Sequence, residues 1–490
     1  MITSARGLRV ACLALCAAGV FVHGAALAGG DTLPAGGALQ ANGAPATGDA
    51  KAQLTRLYDA VWQRWLQEDP FGATALGDKR YDDRWPEATP AAFERALAEN
   101  RRALQAMARI GGDGLAAEDR LNYAVVKLEL EQRVAAAPFK PYAYAVAHQD
   151  TLQGPPSPQR ASEIVDFIAF DSIRDYENWN ARLRGFGAYV DQVIALLELG
   201  VREKRVLPCV ETDKVLAQLP AQLVGRPEDS PFYEPFKRMP DTLAAADRER
   251  LAAAGRAAIA AGVLPAFERL DRHLRTRYRP ACRRSISIAD TPDGAAYYRH
   301  LVARHTTTAL SAAEIHALGL QEVARIRRDM DAVIAATGFH GGFDEFAHYL
   351  RTDPRFFYTD PQDLLHGYMV IAKSIDPNLV RLFGRLPRTP YGVRPVPETS
   401  AASATTAYYA EGAADGSRAG TFYVNLYRPD ARPKWEMEVL TAHESVPGHH
   451  LQIALQYENA GDLPMIRRMA DFTAFVEGWG LYSELSLIHI

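Results

Sequence analysis

A histidine–glutamate pair near the carboxyl end of the chain carries the clearest chemistry in the sequence. His443 and Glu444 begin a stretched version of HExxH, the helical motif in which two histidines hold zinc and the glutamate activates water. In the regular motif the second histidine stands four residues after the first, but here that position is Pro447, which cannot ligate a metal. The next candidates are His449 and His450. The stretch therefore predicts a zinc site of irregular geometry.

The residues Pro447 and Gly448 explain how a longer spacing could still bring two histidines together. Proline lacks the N–H that would bond back to the carbonyl of His443, so the helix must kink or bulge, and glycine tolerates the backbone angles of a bulge. With two residues looped out, His449 takes the place of the second ligand. In an unbroken helix His450 returns to the same face but lies about 10.5 Å along the axis, a long span for one ion. We therefore favour His449 and keep His450 as the alternative.

A third ligand is expected on a later helix, where zinc peptidases of the glutamate type place a Glu. Glu477 stands among apolar neighbours, where an unpaired carboxylate would cost free energy that a metal would remove. The alternative is a plain helix with two solvated glutamates, Glu477 and Glu484, around a buried Trp479. Because His443 and Glu444 are present, we favour the ligand interpretation. The donor set predicts Zn²⁺ as the cofactor.

These residues must be positioned by helices, because helical periodicity dominates the chain from about residue 53. Ser311 and Glu314 have the spacing of a capping box and predict a helix that runs towards Ala336. Residues 420–427 are rich in β-branched and aromatic side chains and predict a short strand before the metal motif. That strand is either an edge strand that pairs with an extended substrate or part of an ordinary core hairpin.

Composition limits the class of protein. The chain has 490 residues and 48% hydrophobic content, which is enough for a large core. Lys and Arg number 55 against 59 Asp and Glu, which gives a net charge of -4 without a long block of one sign. We therefore expect no nucleic-acid partner.

The amino-terminal residues have the pattern of a secretory signal. Residues 1–28 combine two arginines with an apolar run and a small-residue cleavage site, and residues 29–50 predict a disordered linker. We therefore expect a periplasmic or secreted protein without stable membrane insertion after cleavage. Neither Cys12 nor Cys16 lies in a convincing lipobox, which disfavours a lipid anchor.

Two cysteines remain after the expected cleavage, Cys209 and Cys282. In an oxidising compartment they could form a disulfide, or they could be two separate buried thiols. The sequence leaves both interpretations open.

Four segments together resemble the domain of unknown function 885, a bacterial family. They are residues 69–77, 415–425, 443–452 and 476–479. The family is similar to helical zinc peptidases such as thimet oligopeptidase and angiotensin-converting enzyme. The resemblance implies a mainly α, two-lobed helical fold with a deep cleft and a short β element before the metal helix.

By the same resemblance, the metal ligands are His443, His449 and Glu477, and the general base is Glu444. Zinc with three protein ligands keeps a position open for water, and Glu444 would take the proton and pass it to the leaving amine. We therefore expect a zinc metallopeptidase that cleaves short peptides, since a deep helical cleft excludes folded proteins. The alternatives are a non-catalytic periplasmic peptide-binding protein and a zinc hydrolase of non-peptide amides or esters.

The resemblance also sets the expected domain limits. It implies a helical metallopeptidase-like domain over residues 51–484, and a further segment that supplies a Tyr or His to steady the oxyanion. Residues 485–490 resemble translated sequencing-adapter sequence. We therefore interpret them as a non-native tail and expect a domain that is truncated at its carboxyl end.

Other polar residues could contact substrate or have purely structural roles. Tyr408, Tyr409 and Asn425 precede the metal motif, and Arg418 could bind a peptide carboxylate. The histidines in the middle of the chain lack paired ligand spacing, and we interpret them as surface or core residues: His300, His305, His316, His340, His348 and His366.

Overall fold

The computed structural model describes residues 50–149, 154–413, 415–458, 461 and 463–486. The expected signal segment, the two cysteines considered for a lipobox, residues 29–49 of the linker and residues 487–490 of the tail lie outside these residues. Ala50, which we assigned to the linker, is already helical. The described chain is mainly helical with one small sheet, which confirms the predicted fold class at that level.

Several helices in the first half begin where the sequence supplies a capping side chain or a proline. Thr89 caps the helix that starts at Pro90, and Ser172 forms a capping box with Asp175 at the start of the longest helix. The predicted helical periodicity from about residue 53 is therefore confirmed. The helices are α1 (Ala50–Glu68), α2 (Pro70–Ala75), α3 (Pro90–Ile110), α4 (Ala117–Ala136), α5 (Ile173–Glu203), α6 (Cys209–Gln218) and α7 (Glu234–Lys237).

A long helical stretch after α7 contains two π turns. It consists of α8 (Ala245–Ala258), α9 (Leu264–His273) and α10 (Arg279–Ala281), joined by the π turns Ile259–Val263 and Leu274–Tyr278. Each π turn is followed two residues later by a proline, Pro265 or Pro280. A proline cannot donate to the regular α ladder and its ring crowds the preceding turn, so a wider turn there relieves the conflict.

This stretch packs along α5 and forms the largest hydrophobic core. Phe186 of α5 contacts Phe232 and Phe267 through ring pairs with centroids 5.1 and 5.2 Å apart. Residues 245–281 are long and apolar enough to cross a membrane by length and composition, but Leu251 and Phe267 within them are buried in this core. Their apolar side is therefore accounted for by packing within the protein.

The middle of the chain is helical and much of it is exposed. Ser311 and Glu314 form the expected capping box, and the helix that they open ends at Ala336 as predicted. Ile334 is the buried residue of that helix. The helices are α11 (Gly294–Thr306), α12 (Ala312–Ala336), α13 (Phe343–Thr352) and α14 (Pro361–Leu379).

Three short strands form one sheet in the order β1-β3-β2, with the short helix α15 (Glu398–Ala401) between the first two in sequence. β1 (Tyr391–Pro395) pairs parallel to β3 (Gly420–Val424), and β2 (Ala407–Ala410) pairs antiparallel to it, with Tyr409 opposite Phe422. The strand predicted at residues 420–427 is therefore present but shorter. Because neighbours occupy both of its sides, the edge-strand interpretation of this segment is wrong.

Four helices follow the sheet in the described chain and carry the candidate site. α16 and α14 pack on the sheet around buried Phe422 and Met437, and α17 packs against α14 around Val446 and Leu451. The metal motif is thus built on two hydrophobic clusters. The helices are α16 (Lys434–Glu444), α17 (His449–Glu458), α18 (Met465–Arg468) and α19 (Thr473–Ser486).

Cys209 and Cys282 form a disulfide. The bond joins the first residue of α6 to the residue that follows α10, beside a backbone hydrogen bond of 2.8 Å from Cys209 N to Arg283 O. The disulfide interpretation is therefore correct, and the alternative of two separate thiols is wrong.

Replacing both cysteines by serine should lower the free energy of unfolding by about 2–4 kcal/mol, because the bond closes a loop with a sequence separation of 73 residues. Denaturant unfolding of the wild-type protein and the double variant measures the difference. Wild-type protein in reducing buffer is the control and should lose the same amount. Equal stability in all three samples would contradict the prediction.

Candidate metal centre

The stretched motif folds as two helices rather than as one kinked helix. α16 ends at Glu444, α17 begins at His449, and Ser445 leaves helical geometry with φ −107° and ψ −107°. Gly448 packs directly against the end of α16, where an added Cβ would lie 1.9 Å from the carbonyl oxygen of His443. The expected irregularity is present, and position 448 requires glycine because no side chain fits there.

This break brings three candidate ligands together. Nε2 of His443 lies 3.3 Å from Oε2 of Glu477, and Nε2 of His449 lies 3.8 Å from the same oxygen. One donor atom from each residue lies within 4.8 Å of the other two, and the described residues contain no second group of this kind. Ligands at about 2.0–2.1 Å from a tetrahedral zinc ion are about 3.4 Å from one another. The donor set and its spacing therefore fit zinc.

His449 is held in the neutral form that a metal ligand needs. Burial and, to a smaller extent, the neighbouring His443 lower the pKa of His449 to about 4. The two imidazole rings stand edge to face with centroids 4.6 Å apart, so their nitrogens can converge on one point. At neutral pH the His449 ring is uncharged and can donate a lone pair.

His450 faces away from the other candidate ligands. Its Nδ1 lies 2.9 Å from the Tyr409 hydroxyl, and its ring packs on Tyr391 with centroids 4.7 Å apart. A further hydrogen bond joins the ring to the backbone of Thr389. The His450 ring is therefore held by Tyr409, Tyr391 and Thr389, and the geometry favours His449 as the second ligand.

Glu444 lies beside the candidate ligands and is largely buried. Its Oε2 is 3.9 Å from Nε2 of His449, and a hydrogen bond to the backbone of Tyr409 in β2 holds the carboxyl group. Burial, with a smaller contribution from Glu477, raises the pKa of Glu444 to about 7 against the opposing effect of His443. A carboxyl group with a pKa near neutrality can both accept and release a proton, as a general base must.

Glu477 was expected to be a ligand because apolar neighbours would bury its carboxylate. That expectation of burial is wrong, although the position of Glu477 suits a ligand. Its side chain is 57% exposed, because the apolar neighbours Phe475 and Leu481 are themselves exposed rather than packed around it. Desolvation therefore costs this carboxylate little free energy. What places Glu477 is its closeness to the two imidazoles.

Glu484 has no role in the favoured ligand interpretation, and only the alternative described it, as a solvated glutamate. Its Oε1 instead lies 2.6 Å from Nδ1 of His443. Glu484 follows Glu477 by seven residues, which places both on one face of α19. That spacing is the sequence signal that could have identified it.

The other polar residues near the motif have structural partners. Arg418 donates to the carbonyl oxygens of Glu411 and Ala75, so a role in binding a peptide carboxylate is not supported by its contacts. Asn425 is buried and donates to the carbonyl oxygens of residues 401, 404 and 405. Tyr408 stacks on its neighbour in β3.

The described residues also enclose a cavity of about 210 Å³ along α17. Tyr409, Ala454, Tyr457 and Glu458 are among its lining residues, but none of the three candidate metal ligands is. The candidate metal ligands therefore do not border this cavity.

The family to which the chain belongs is shown by a match over most of its length and not by the motif alone. The sequence matches the family described as bacterial protein of unknown function (DUF885) over residues 70–487. The chain belongs to the DUF885 family. The resemblance of the four segments to the domain of unknown function 885 is thereby confirmed. No curated protein matches the chain.

Two solved structures share the fold of this DUF885 protein. A candidate lipoprotein from Colwellia psychrerythraea matches with a TM-score of 0.81 and 24% identity, covering 90% of this chain and 78% of its own. A candidate lipoprotein of unknown function from Shewanella oneidensis matches with a TM-score of 0.60 and 14% identity, covering 89% of this chain and 77% of its own. At these identities the likeness establishes the fold alone.

Replacing His449 by alanine should weaken zinc binding by more than the roughly 100-fold that changes outside the ligand set cost, because it removes a ligand. The matched control is His450→Gln, whose amide can still bond to Tyr409 and which should leave zinc affinity unchanged. Competition with a chromophoric chelator measures both. If His450→Gln lost zinc while His449→Ala retained it, His450 would be the ligand.

Proposed function

We propose that this protein is a zinc metallopeptidase that cleaves short peptides with Glu444 as the general base. The observation that carries the proposal is the convergence of His443, His449 and Glu477 beside that buried glutamate. A module that only binds metal or peptide has no need of a base next to the ligands, whereas hydrolysis does. The two-lobed fold with a deep cleft belongs to the same proposal and rests on the likeness to helical zinc peptidases.

The side chains divide the reaction between them. Zinc bound by His443, His449 and Glu477 would supply Lewis acidity and lower the pKa of water towards ~7. Glu444 takes a proton from the attacking water and later gives it to the leaving amine. The hydrogen bond to the backbone of Tyr409 keeps the Glu444 carboxylate in one orientation during both transfers.

A peptide substrate is favoured by the position of β2. This strand forms one edge of the sheet, and the backbone of Tyr409 within it reaches Glu444. An extended peptide that adds to this edge would run past the general base with its carbonyl groups at regular intervals. The substrate-pairing role considered for the segment that forms β3 is therefore better assigned to β2.

An exported location is part of the proposal. The disulfide between Cys209 and Cys282 is typical of an oxidising compartment. The two structural relatives are described as candidate lipoproteins, which is in keeping with an exported protein. We therefore infer a periplasmic or secreted protein.

Glu444→Gln should keep zinc affinity but lower peptide cleavage by about 10²–10⁴-fold, because the amide cannot accept the proton of water. Elemental analysis of the full chain gives the zinc content, and mass spectrometry of a digested peptide library gives the cleavage rate. Glu438→Gln is the matched control, since Glu438 is exposed on the same helix, and it should leave both quantities unchanged.

Each failure has a distinct meaning. Full activity in a zinc-loaded Glu444→Gln protein would remove Glu444 from the mechanism. Absence of zinc from the purified wild-type protein would reject the zinc-dependent mechanism as a whole. Peptide binding without cleavage by the zinc-loaded wild type would favour the binding protein, and cleavage of esters or non-peptide amides alone would favour another hydrolase.

A further inference from the structure

One face of α19 surrounds the imidazole of His443. Glu477, Gly480 and Glu484 stand at positions i, i+3 and i+7, so they share that face. Glu477 approaches Nε2 of the ring at 3.3 Å, and Glu484 approaches Nδ1 at 2.6 Å. The helix thus contacts the ring through both of its nitrogens.

Gly480 allows this close approach. A Cβ at position 480 would lie 2.6 Å from Cε1 of His443 and 2.8 Å from its Nε2. Distances this short do not occur between a Cβ and a ring, so any side chain here would displace the imidazole or the helix. The ring therefore lies directly against the helix backbone, between the two carboxylates.

The contact with Glu484 has a chemical consequence for His443. A carboxylate accepts hydrogen bonds and has none to donate when ionised, so Nδ1 must carry the proton. The lone pair of the neutral ring is then on Nε2, the nitrogen that faces Glu477 and His449. A carboxylate in this position also raises the basicity of the ligating nitrogen.

His449 provides the contrast. Its Nδ1 is buried and has no hydrogen-bond partner within the described part of the chain. Of the two candidate imidazole ligands, His443 is therefore the one whose orientation is set by a carboxylate.

We propose that Glu484 is a positioning residue that fixes the tautomer and orientation of His443 for metal binding, and that Gly480 makes the contact possible. This inference rests on the zinc site of the proposed function, but it does not depend on the reaction that the site performs. The role differs from that of Glu477, because Glu484 acts through His443 rather than on the metal.

The decisive comparison uses two glycines of α19. Gly480→Ala should weaken zinc binding by about 10–100-fold, the usual cost of disturbing the support of a ligand. Gly478→Ala is the matched control, because a Cβ there meets no atom within 4 Å. Both variants gain the same helix propensity, so a difference in zinc affinity between them reports the contact with His443.

The role of the carboxylate itself is tested by Glu484→Ala and Glu484→Gln in the full chain. The alanine variant should also lose about 10–100-fold in zinc affinity, while glutamine should lose less because its amide oxygen still accepts from Nδ1. Glu438→Ala is the control for a lost surface carboxylate. The visible spectrum of the Co²⁺-loaded protein should change in Glu484→Ala and not in the control, since it reports the ligand geometry.

Thermal unfolding in the presence of a chelator separates zinc affinity from folding. If Glu484→Ala does not fold, Glu484→Leu decides, because it keeps most of the side-chain volume but removes the acceptor, and an affinity equal to that of the wild type overturns the proposal. Wild-type affinity in folded Glu484→Ala also overturns it. Absence of zinc from the wild-type protein is a different result, because it rejects the metal site as a whole.

Discussion

The candidate site depends on one close approach of backbone to backbone, at the end of α16. The chain turns after Glu444 and passes the carbonyl of His443 at Gly448, where even a methyl group would overlap the oxygen. This passage allows His449 to start a second helix with its ring edge to face against that of His443. In a regular HExxH the two histidines converge because they lie one helical turn apart on the same helix. In this protein they converge because a non-helical turn connects the two helices that carry them.

The turn is held from two sides. Val446 and Leu451 are buried in a cluster with α14, and the Trp479 indole N–H donates to the carbonyl of Pro447 from α19 at 2.8 Å.

A second contact joins two distant parts of the chain. Arg418, in the segment before β3, donates to the carbonyl of Ala75 at the end of α2. The family segments at residues 69–77 and 415–425 are therefore in contact, although the sequence gives no reason why they should be.

The sequence was sufficient for features that are local and insufficient for those that depend on distant contacts. The capping box at Ser311 and the helices follow from neighbouring residues. Glycine at position 448 was expected for its backbone angles, whereas the structure requires it because a Cβ there would overlap the carbonyl of His443. The exposure of Glu477 could not be predicted, because it depends on what covers α19. The central position of β3 depends on β1 and β2, which lie 10 or more residues before it. The role of Glu484 could be predicted from its spacing to Glu477 only if the contact between His443 and α19 were already known.

The position of α19 has a further consequence for the site. Gly480 and Ser483 are its buried positions among the described residues, and Phe475, Leu481, Tyr482 and Leu485 are exposed. Apolar packing of this helix includes Trp479, which lies against the cluster around Val446 and Leu451 and contacts Phe383. The polar contacts of α19 with His443 and Pro447 add to this packing. A metal that joins Glu477 to both imidazoles would add to these contacts, and because it binds the folded arrangement alone, it would stabilise the attachment of α19 as its concentration rises.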